Sequence, residues 1–472
     1  MVRRASLLLS LAVFGCAGVH PAALDPLRTR ADFESRSLSD PALRRYVESH
    51  AGSPLPSWPP TTWGPRTLTL AAYYYHPDLD VARARAEAAG AGVRTAKQRP
   101  NPTLGFPLQY NASVSPAPSP WTLGLNLDVP IEIAGKRGYR AGVARNLSDA
   151  ARIDLAQAGW KVRVQVRTAL LDYLITTAEL DSLQAEVDGR TRLVGLLEKR
   201  LQVGEAAGPE VYTSRAALNA SRAALAALSG RAGGTRISVA QALGVPPSAL
   251  DGALLEWPRF DSVPEDSSLS PLAVQAAGLL NRLDVQRSLA EYGAAVAALQ
   301  LEGAKRYPDL HLGPGFSWDQ GARKYALGFS FELPLFNRNE GPIAEAEARL
   351  KEARARFIAT QAQAISETAR AWATLRAARA SLSSADSALA AEAQRFRSAE
   401  HSLALGNLDR VELSGERVNL AAAGRTRLET LRAARTALLE LESAVQRPLE
   451  PGEDASAPDL SEPRRSESEE KK

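Results

Sequence analysis

The spacing of apolar residues changes period along this chain, and each change happens twice. Between 139 and 203, apolar or small residues recur at steps of three, four or seven: Leu155, Val162, Val166, Ala169, Tyr173, Leu180, Leu183, Val187, Val194, Leu197 and Leu201. That is the seam of a coiled coil, with no proline to break it, and at 1.5 Å per residue it predicts one helix about 100 Å long. Upstream the period is two. Leu123, Leu125, Leu127 and Val129 alternate with Thr122, Gly124, Asn126 and Asp128, so one strand face is apolar and the other polar. Leu104, Phe106, Leu108 and Tyr110 supply a partner, giving a hairpin over 103–131 with a Pro/Ser-rich loop at 111–120. An earlier helix is predicted over 68–97 and stops at Pro100 and Pro102.

The second half repeats this order. LGLNLDVPI at 123–131 returns as LGFSFELPL at 327–335, and LDV at 79–81 returns at 283–285 with the same offset. Such matched spacing marks a tandem duplication. The second hairpin, 309–335, sets Leu310, Leu312, Phe316 and Trp318 against Tyr325, Leu327, Phe329, Phe331 and Leu333, around a polar loop at 319–323. A second long helix is predicted over 343–405. Each long helix ends near a glycine, Gly204 or Gly406, and the chain returns as a helix over 210–230 or 410–446. The repeats therefore occupy 66–250 and 271–447. The stretch from 233 carries the chain between them, with 251–270 as the linker. Residues 16–65 are Pro-rich and predict an extended arm with one helix near 40–50. The charged, Pro/Ser-rich 448–472 predicts a disordered tail.

The N-terminus has two basic residues, Arg3 and Arg4, a short apolar run over 7–14, and the only cysteine, Cys16. The run is too short to span a membrane and fits a signal peptide over 1–15. The pattern resembles a bacterial lipobox, with Cys16 as the lipidated first residue; an ordinary signal with an incidental cysteine has the same outline. No other apolar stretch reaches helix-spanning length, so any crossing must use strands of about 9–11 residues. The alternating faces fit a membrane barrel, lipid outside and water inside; a soluble sheet packed on helices alternates the same way. Tyr110, Trp121, Trp318 and Tyr325 stand beside the loops, as an interfacial belt would. Asp128 and Glu332 fall in the polar phase, two residues before Pro130 and Pro334, and are predicted to face a water-filled lumen; capping the following turn is the other role open to them. Four strands do not close a barrel, and open edges are not viable in lipid, so the chain must assemble; three copies supply twelve strands.

Charge adds exclusions. The formal net charge is only +4, and the arginines alternate with acids along helices, so there is no polybasic footprint for nucleic acid. The five histidines, His20, His50, His76, His311 and His401, are scattered. No nucleophile, acid–base pair or metal-ligand spacing can be assembled, which argues against an enzyme and predicts neither cofactor nor resident metal. His311, in the polar phase of a strand, is the one histidine placed to meet the lumen.

The duplicated LDV helix starts, the Gly-x-x-x-Asp/Glu-x-Pro strand ends and the two glycine-bearing tips resemble the TolC-type outer-membrane efflux family over about 66–447. VPIEIAGKRGYRAGVA at 129–144 is most similar to its cation-efflux, CzcC-type branch. The resemblance implies a mainly α fold with membrane β-hairpins, built from two repeats per chain. It implies a homotrimer with a twelve-stranded barrel in the outer membrane, continued by a coiled-coil helical barrel across the periplasm. It implies a passive duct serving a periplasmic adaptor and an inner-membrane RND-type pump, carrying heavy-metal cations or small toxic compounds. The tips, with Val203, Gly204, Leu405 and Gly406, would meet the adaptor. Glu412 matches an acid of the periplasmic aperture and Glu210 is its counterpart in the first repeat; Gly415 stands where a second acid often lies. Both glutamates equally suit the positive start of a helix. The outlet of a type I protein secretion system uses the same fold. A periplasmic coiled-coil adaptor lipoprotein is disfavoured, because it has one helical hairpin, not two with paired strands.

Overall fold

The computed structural model describes residues 23–51, 55–113, 119–264, 271–450 and 460. Cys16, the 1–15 signal segment and most of the 448–472 tail lie outside these residues. In chain order, the arm carries α1 (Pro26–Glu34) and α2 (Pro41–Ala51), then β1 (Thr62–Trp63). The first repeat follows with α3 (Pro65–Tyr75), α4 (Pro77–Ala96), β2 (Thr103–Gly105), β3 (Leu108–Tyr110), β4 (Trp121–Ile131), α5 (Lys136–Gln202) and α6 (Gly208–Leu243). A 3-10 turn (Pro247–Leu250) and β5 (Leu254–Leu255) lead to the second repeat. That repeat comprises α7 (Pro271–Leu280), α8 (Leu283–Ala304), β6 (Leu310–Asp319), β7 (Ala322–Phe331), α9 (Glu340–Ala404) and α10 (Arg410–Val445).

The long helices begin and end close to where the apolar seam predicts. Leu155, Val162, Val166, Leu183, Val187, Val194 and Leu197 are buried as expected, while Leu201 of the seam is 39% exposed; in mid-helix Leu170, Leu171 and Ile175 are buried beside Ala169 and Tyr173, which are half-buried on the same core. The stripe drifts there because α5 meets a different partner, the core formed by α3 and the arm. α5 packs on α6, α9 on α10, and α10 on α5, so the two helical hairpins form one body.

Three local expectations change. The helix expected over 68–97 is two helices, broken at His76. Pro77 disfavours helical geometry in the residue before it, so His76 is extended and its Nδ1 caps α4 by accepting from the Asp78 N–H at 3.2 Å. The first hairpin strand is split, because Pro107 between β2 and β3 lacks the N–H a ladder needs. α6 continues through Gly230, Gly233 and Gly234, where the joining segment was expected. Each helical glycine costs about 1 kcal/mol, but Val239 and Leu243 become fully buried beyond them, and burying such side chains returns about 1.5–3 kcal/mol each. The helix ends only at Gly244, in the left-handed region.

The arm and the linker are structural parts of the body. Leu38, Leu43, Val47 and Trp63 enter the core, Arg36 donates to the carbonyls of Tyr75 and Gly244 at 2.9 and 2.6 Å, and β1 pairs in parallel with β5. The arm holds two helices where the sequence suggests one. Trp257 of the linker is buried between two guanidinium groups, Arg167 at 5.5 Å and Arg435 at 5.1 Å from its ring centre. At the start of the tail, Glu450 bonds Arg435, and its other oxygen accepts from the Trp257 indole N–H at 3.1 Å. Leu460 is buried, and its carbonyl accepts from Arg83 Nε at 2.7 Å. These two tail residues are packed, against the disorder expected of the segment.

Candidate functional site

All the long strands form one antiparallel sheet in the order β2/β3–β4–β6–β7, and β4 against β6 joins the two repeats. The register opposes Leu125 to Phe316 and Val129 to Leu312, and on the next strand Leu312 to Phe329. One face therefore gathers the apolar positions of the pattern that lie within the strands. Its side chains are exposed: Leu108 59%, Leu123 50%, Leu327 71% and Phe329 77%. Among the described residues no helix covers them, unlike a soluble sheet packed on helices; a contiguous apolar face of this extent marks contact with lipid or another protein surface. Tyr110 and Trp121 meet edge to face beside the loop, their rings 4.9 Å apart.

The opposite face is polar and small, with Thr122, Asn126 and Asp128 on β4 and His311, Gly313, Gly315 and Ser317 on β6. Asp128 and His311 meet there. The His311 Nδ1 lies 3.0 and 3.1 Å from the two carboxylate oxygens, and both side chains stay open to solvent. Glu332 lies one residue past β7, in the phase of Ser330 and exposed. The sheet thus brings Asp128 and His311 together, a pairing that neither hairpin pattern alone indicates. The edges β2/β3 and β7 carry no strand partner among the described residues.

The residues of the GKR segment fasten sheet to helix. Lys136 reaches across to Asp309 of the other repeat at 2.8 Å. Arg140 holds Glu132 at 2.6 Å and donates to the carbonyls of Ala96 and Gln98. In the second repeat Asn339 takes the place of Gly135, in the same left-handed conformation, and its amide donates to the Glu302 carbonyl at 2.7 Å.

At the far end, Val203 and Leu405 are 70% and 62% exposed. Gly204 and Gly406 have φ of 79° and 76°, and a Cβ on either would meet nothing within 4 Å. Glycine is needed for the left-handed turn, not for space. Glu210 is exposed in the first turn of α6. Glu412 belongs to a capping box: the Asp409 carboxylate accepts from the N–H groups of Val411 and Glu412 at 2.6 and 2.9 Å, and Glu412 accepts from the Asp409 N–H at 3.2 Å. The Glu412 N–H, and after it the Arg200 guanidinium, hold the Asp409 carboxyl below the usual carboxylate range. Arg200 of the first hairpin reaches Asp409 of the second at 2.6 Å, tying the two tips together. Sequence reasoning missed this tie, although Asp-x-x-Glu before a helix is a legible cap signal.

Among the described residues no helix is long and apolar enough to cross a membrane, and no group of three or more His, Cys, Asp or Glu is placed to hold a metal ion.

Comparison with known proteins matches this geometry. The family described as outer membrane efflux protein covers residues 72–245 and 275–445, one stretch in each repeat. The chain is 28% identical over 236 residues to the cobalt-zinc-cadmium resistance protein CzcC of Cupriavidus metallidurans. It is 27% identical over 227 residues to the pyoverdine export outer membrane protein OpmQ of Pseudomonas putida. These matches take in 47% and 46% of this chain and span about half of each relative, 52% and 45%. Among solved structures, the outer membrane protein VceC of Vibrio cholerae superposes with a TM-score of 0.64 at 21% identity, over 81% of this chain and 95% of that one. CusC, a transmembrane channel, superposes at 0.66 and 18% identity, over 82% and 94%. The two repeats, the shared sheet and the paired helical hairpins are thus the fold of these channels, and the chain belongs to the outer membrane efflux protein family.

Proposed function

We propose that this chain is the outer-membrane duct of a tripartite efflux system, a homotrimer whose three sheets close a twelve-stranded barrel. The observation that carries this is the single sheet with one exposed apolar face, one polar face and two unpaired edges, running directly into helical hairpins on the order of 100 Å long. In lipid each edge must be paired, and the same edges on neighbouring copies meet that need. The apolar face then lies against lipid. Asp128, His311 and Glu332 face the lumen, and the tips at Val203, Gly204, Leu405 and Gly406 meet a periplasmic adaptor joined to an RND-type pump. A lipid on Cys16 anchors the arm. The duct is passive, and the pump supplies the energy.

The cargo we propose is a divalent metal cation, by analogy with the cobalt-zinc-cadmium resistance relative. A duct has no need to bind its cargo tightly; it needs a wet, polar path and carboxylates that raise the local cation concentration. Glu412, and less directly Glu210, would form such rings at the aperture. Two measurements test the reading. A strain lacking the gene should lose resistance to cobalt, zinc or cadmium, and the purified protein should form trimers that conduct in planar bilayers. Unchanged resistance together with a monomer that does not conduct would reject it. Glu412→Gln should lower cation selectivity; if selectivity does not move, Glu412 acts only as the cap it forms with Asp409.

A further inference from the structure

We infer that the groove between α5 and α10, beside the tips, receives an acidic, leucine-bearing helix of the adaptor. The inference rests on the proposed reading of the tips as the docking end, and adds the chemistry of the partner. The groove is about 440 Å³ and has two matched walls. Arg192, Leu196 and Lys199 line it from α5, at i, i+4 and i+7. Arg410, Leu413 and Arg417 line it from α10, at i, i+3 and i+7. Each wall is therefore one helical stripe in the order cation, leucine, cation.

The charges are what set this groove apart. Arginines nearby are matched within the chain: Arg190 with Glu186 at 2.8 Å, Arg200 with Asp409 at 2.6 Å, Arg395 with Glu416 at 3.0 Å. Among the described residues the four cations of the groove have no acidic partner; Arg417 stacks on the Phe396 ring at 5.5 Å. Four like charges around one cleft repel one another, and that repulsion is relieved when an anionic surface arrives. Leu196 and Leu413 between them favour an amphipathic helix with an apolar anchor over a small polar anion. Cations seven residues apart stand about 10.5 Å apart along a helix. The partner helix should therefore carry Asp or Glu seven residues apart with a leucine between. The groove also lies away from the acids of α10. Glu412 and Glu416 lie on a face turned roughly 100° from the Arg410–Arg417 stripe. The helix thus separates a carboxylate face for the aperture from a basic face for docking.

The experiment measures binding of the purified trimer to the adaptor encoded beside its gene. With wild type, affinity should fall steeply between 50 and 300 mM NaCl, as about expected for an interface built on unpaired charge. The variant R192E/K199E/R410E/R417E should bind roughly tenfold or more weakly and lose that salt dependence. Changing two acids of the matching partner helix to lysine should restore binding to the charge-reversed trimer. R349E/R356E, on exposed sites of α9 away from the groove, makes half of that charge change elsewhere and should bind as wild type. Trimer formation and an unchanged helical circular dichroism spectrum exclude misfolding. If wild type binds the adaptor but the four-charge variant binds equally well, the groove assignment is overturned while the duct reading stands. If wild type does not bind the adaptor at all, the duct reading itself fails.

Discussion

Arg435→Met tests the joint that holds the two repeats, the linker and the start of the tail together. Arg435 is 1% exposed. It donates to the carbonyls of Arg259 and Phe260, pairs with Glu450, and stacks on Trp257. Burial pulls its guanidinium down, an effect larger than the opposing pull of the Glu450 carboxylate, so the pair is costly to bury yet more costly to break. Methionine keeps the apolar stem and removes every donor. Leaving a buried carboxylate without its partner costs about 3–5 kcal/mol. Glu450 keeps Trp257 Nε1 at 3.1 Å and Arg167 at 3.5 Å, which puts the loss near the lower end, about 3 kcal/mol. The two carbonyls left without donors add about 1 kcal/mol or more. Adding Glu450→Gln removes the stranded charge, so the double variant should be about 1–2 kcal/mol more stable than the single one. The assay is a double-mutant cycle on the detergent-solubilised protein, by denaturant unfolding followed through tryptophan fluorescence, with limited proteolysis across the linker. A coupling below about 0.5 kcal/mol would refute the argument, because pairs that do not interact are additive to that degree.

Further outcomes follow from the tips, the core and the anchor. Asp409→Ala should weaken the tie between hairpins by about 1 kcal/mol, the usual worth of an N-cap, with little more from its half-exposed ion pair; crosslinking of cysteines across the tips reads it. Because the folded pKa of Asp409 lies below the ordinary 3.8, its contribution is complete above that value and fades as pH falls through the folded one, so the tie should hold at pH 5 and loosen only in stronger acid. Gly204→Val and Gly406→Val should each cost about 1–2 kcal/mol locally, from backbone strain alone, and impair export while trimers still form; normal export from both would contradict the docking role. Gly244→Ala should be harsher. Its φ is 74°, and a Cβ there would stand 2.8 Å from the Tyr75 carbonyl oxygen, so a clash adds to the strain and the melting temperature should drop. Cys16→Ser should abolish acyl labelling of the mature protein, and mass spectrometry finding an unmodified Cys16 in wild type would end the lipoprotein reading.

The amino-acid sequence by itself determined the parts and their order. The switch from period 3.6 to period 2 and back locates both hairpins and both long helices, because each regular structure turns its side chains at a fixed angle per residue. The duplication states that whatever the first half builds, the second builds again. The tips are legible for a similar reason: Gly204 and Gly406 satisfy a local backbone demand that needs no distant partner. What the sequence left open depends on residues far apart in the chain. The arm and linker read as loose segments, yet Leu43, Trp63 and Trp257 are core, because the apolar surface they cover belongs to α3, α5 and α10. The glycines of α6 read as an end, and burial beyond them carried the helix on. Asp128 meets His311, Lys136 meets Asp309 and Arg200 meets Asp409 only because two repeats lie side by side. Periodicity is a property of neighbours along the chain, whereas ion pairs and burial across 170 or more residues are set by the packing, and only the tertiary structure decides them.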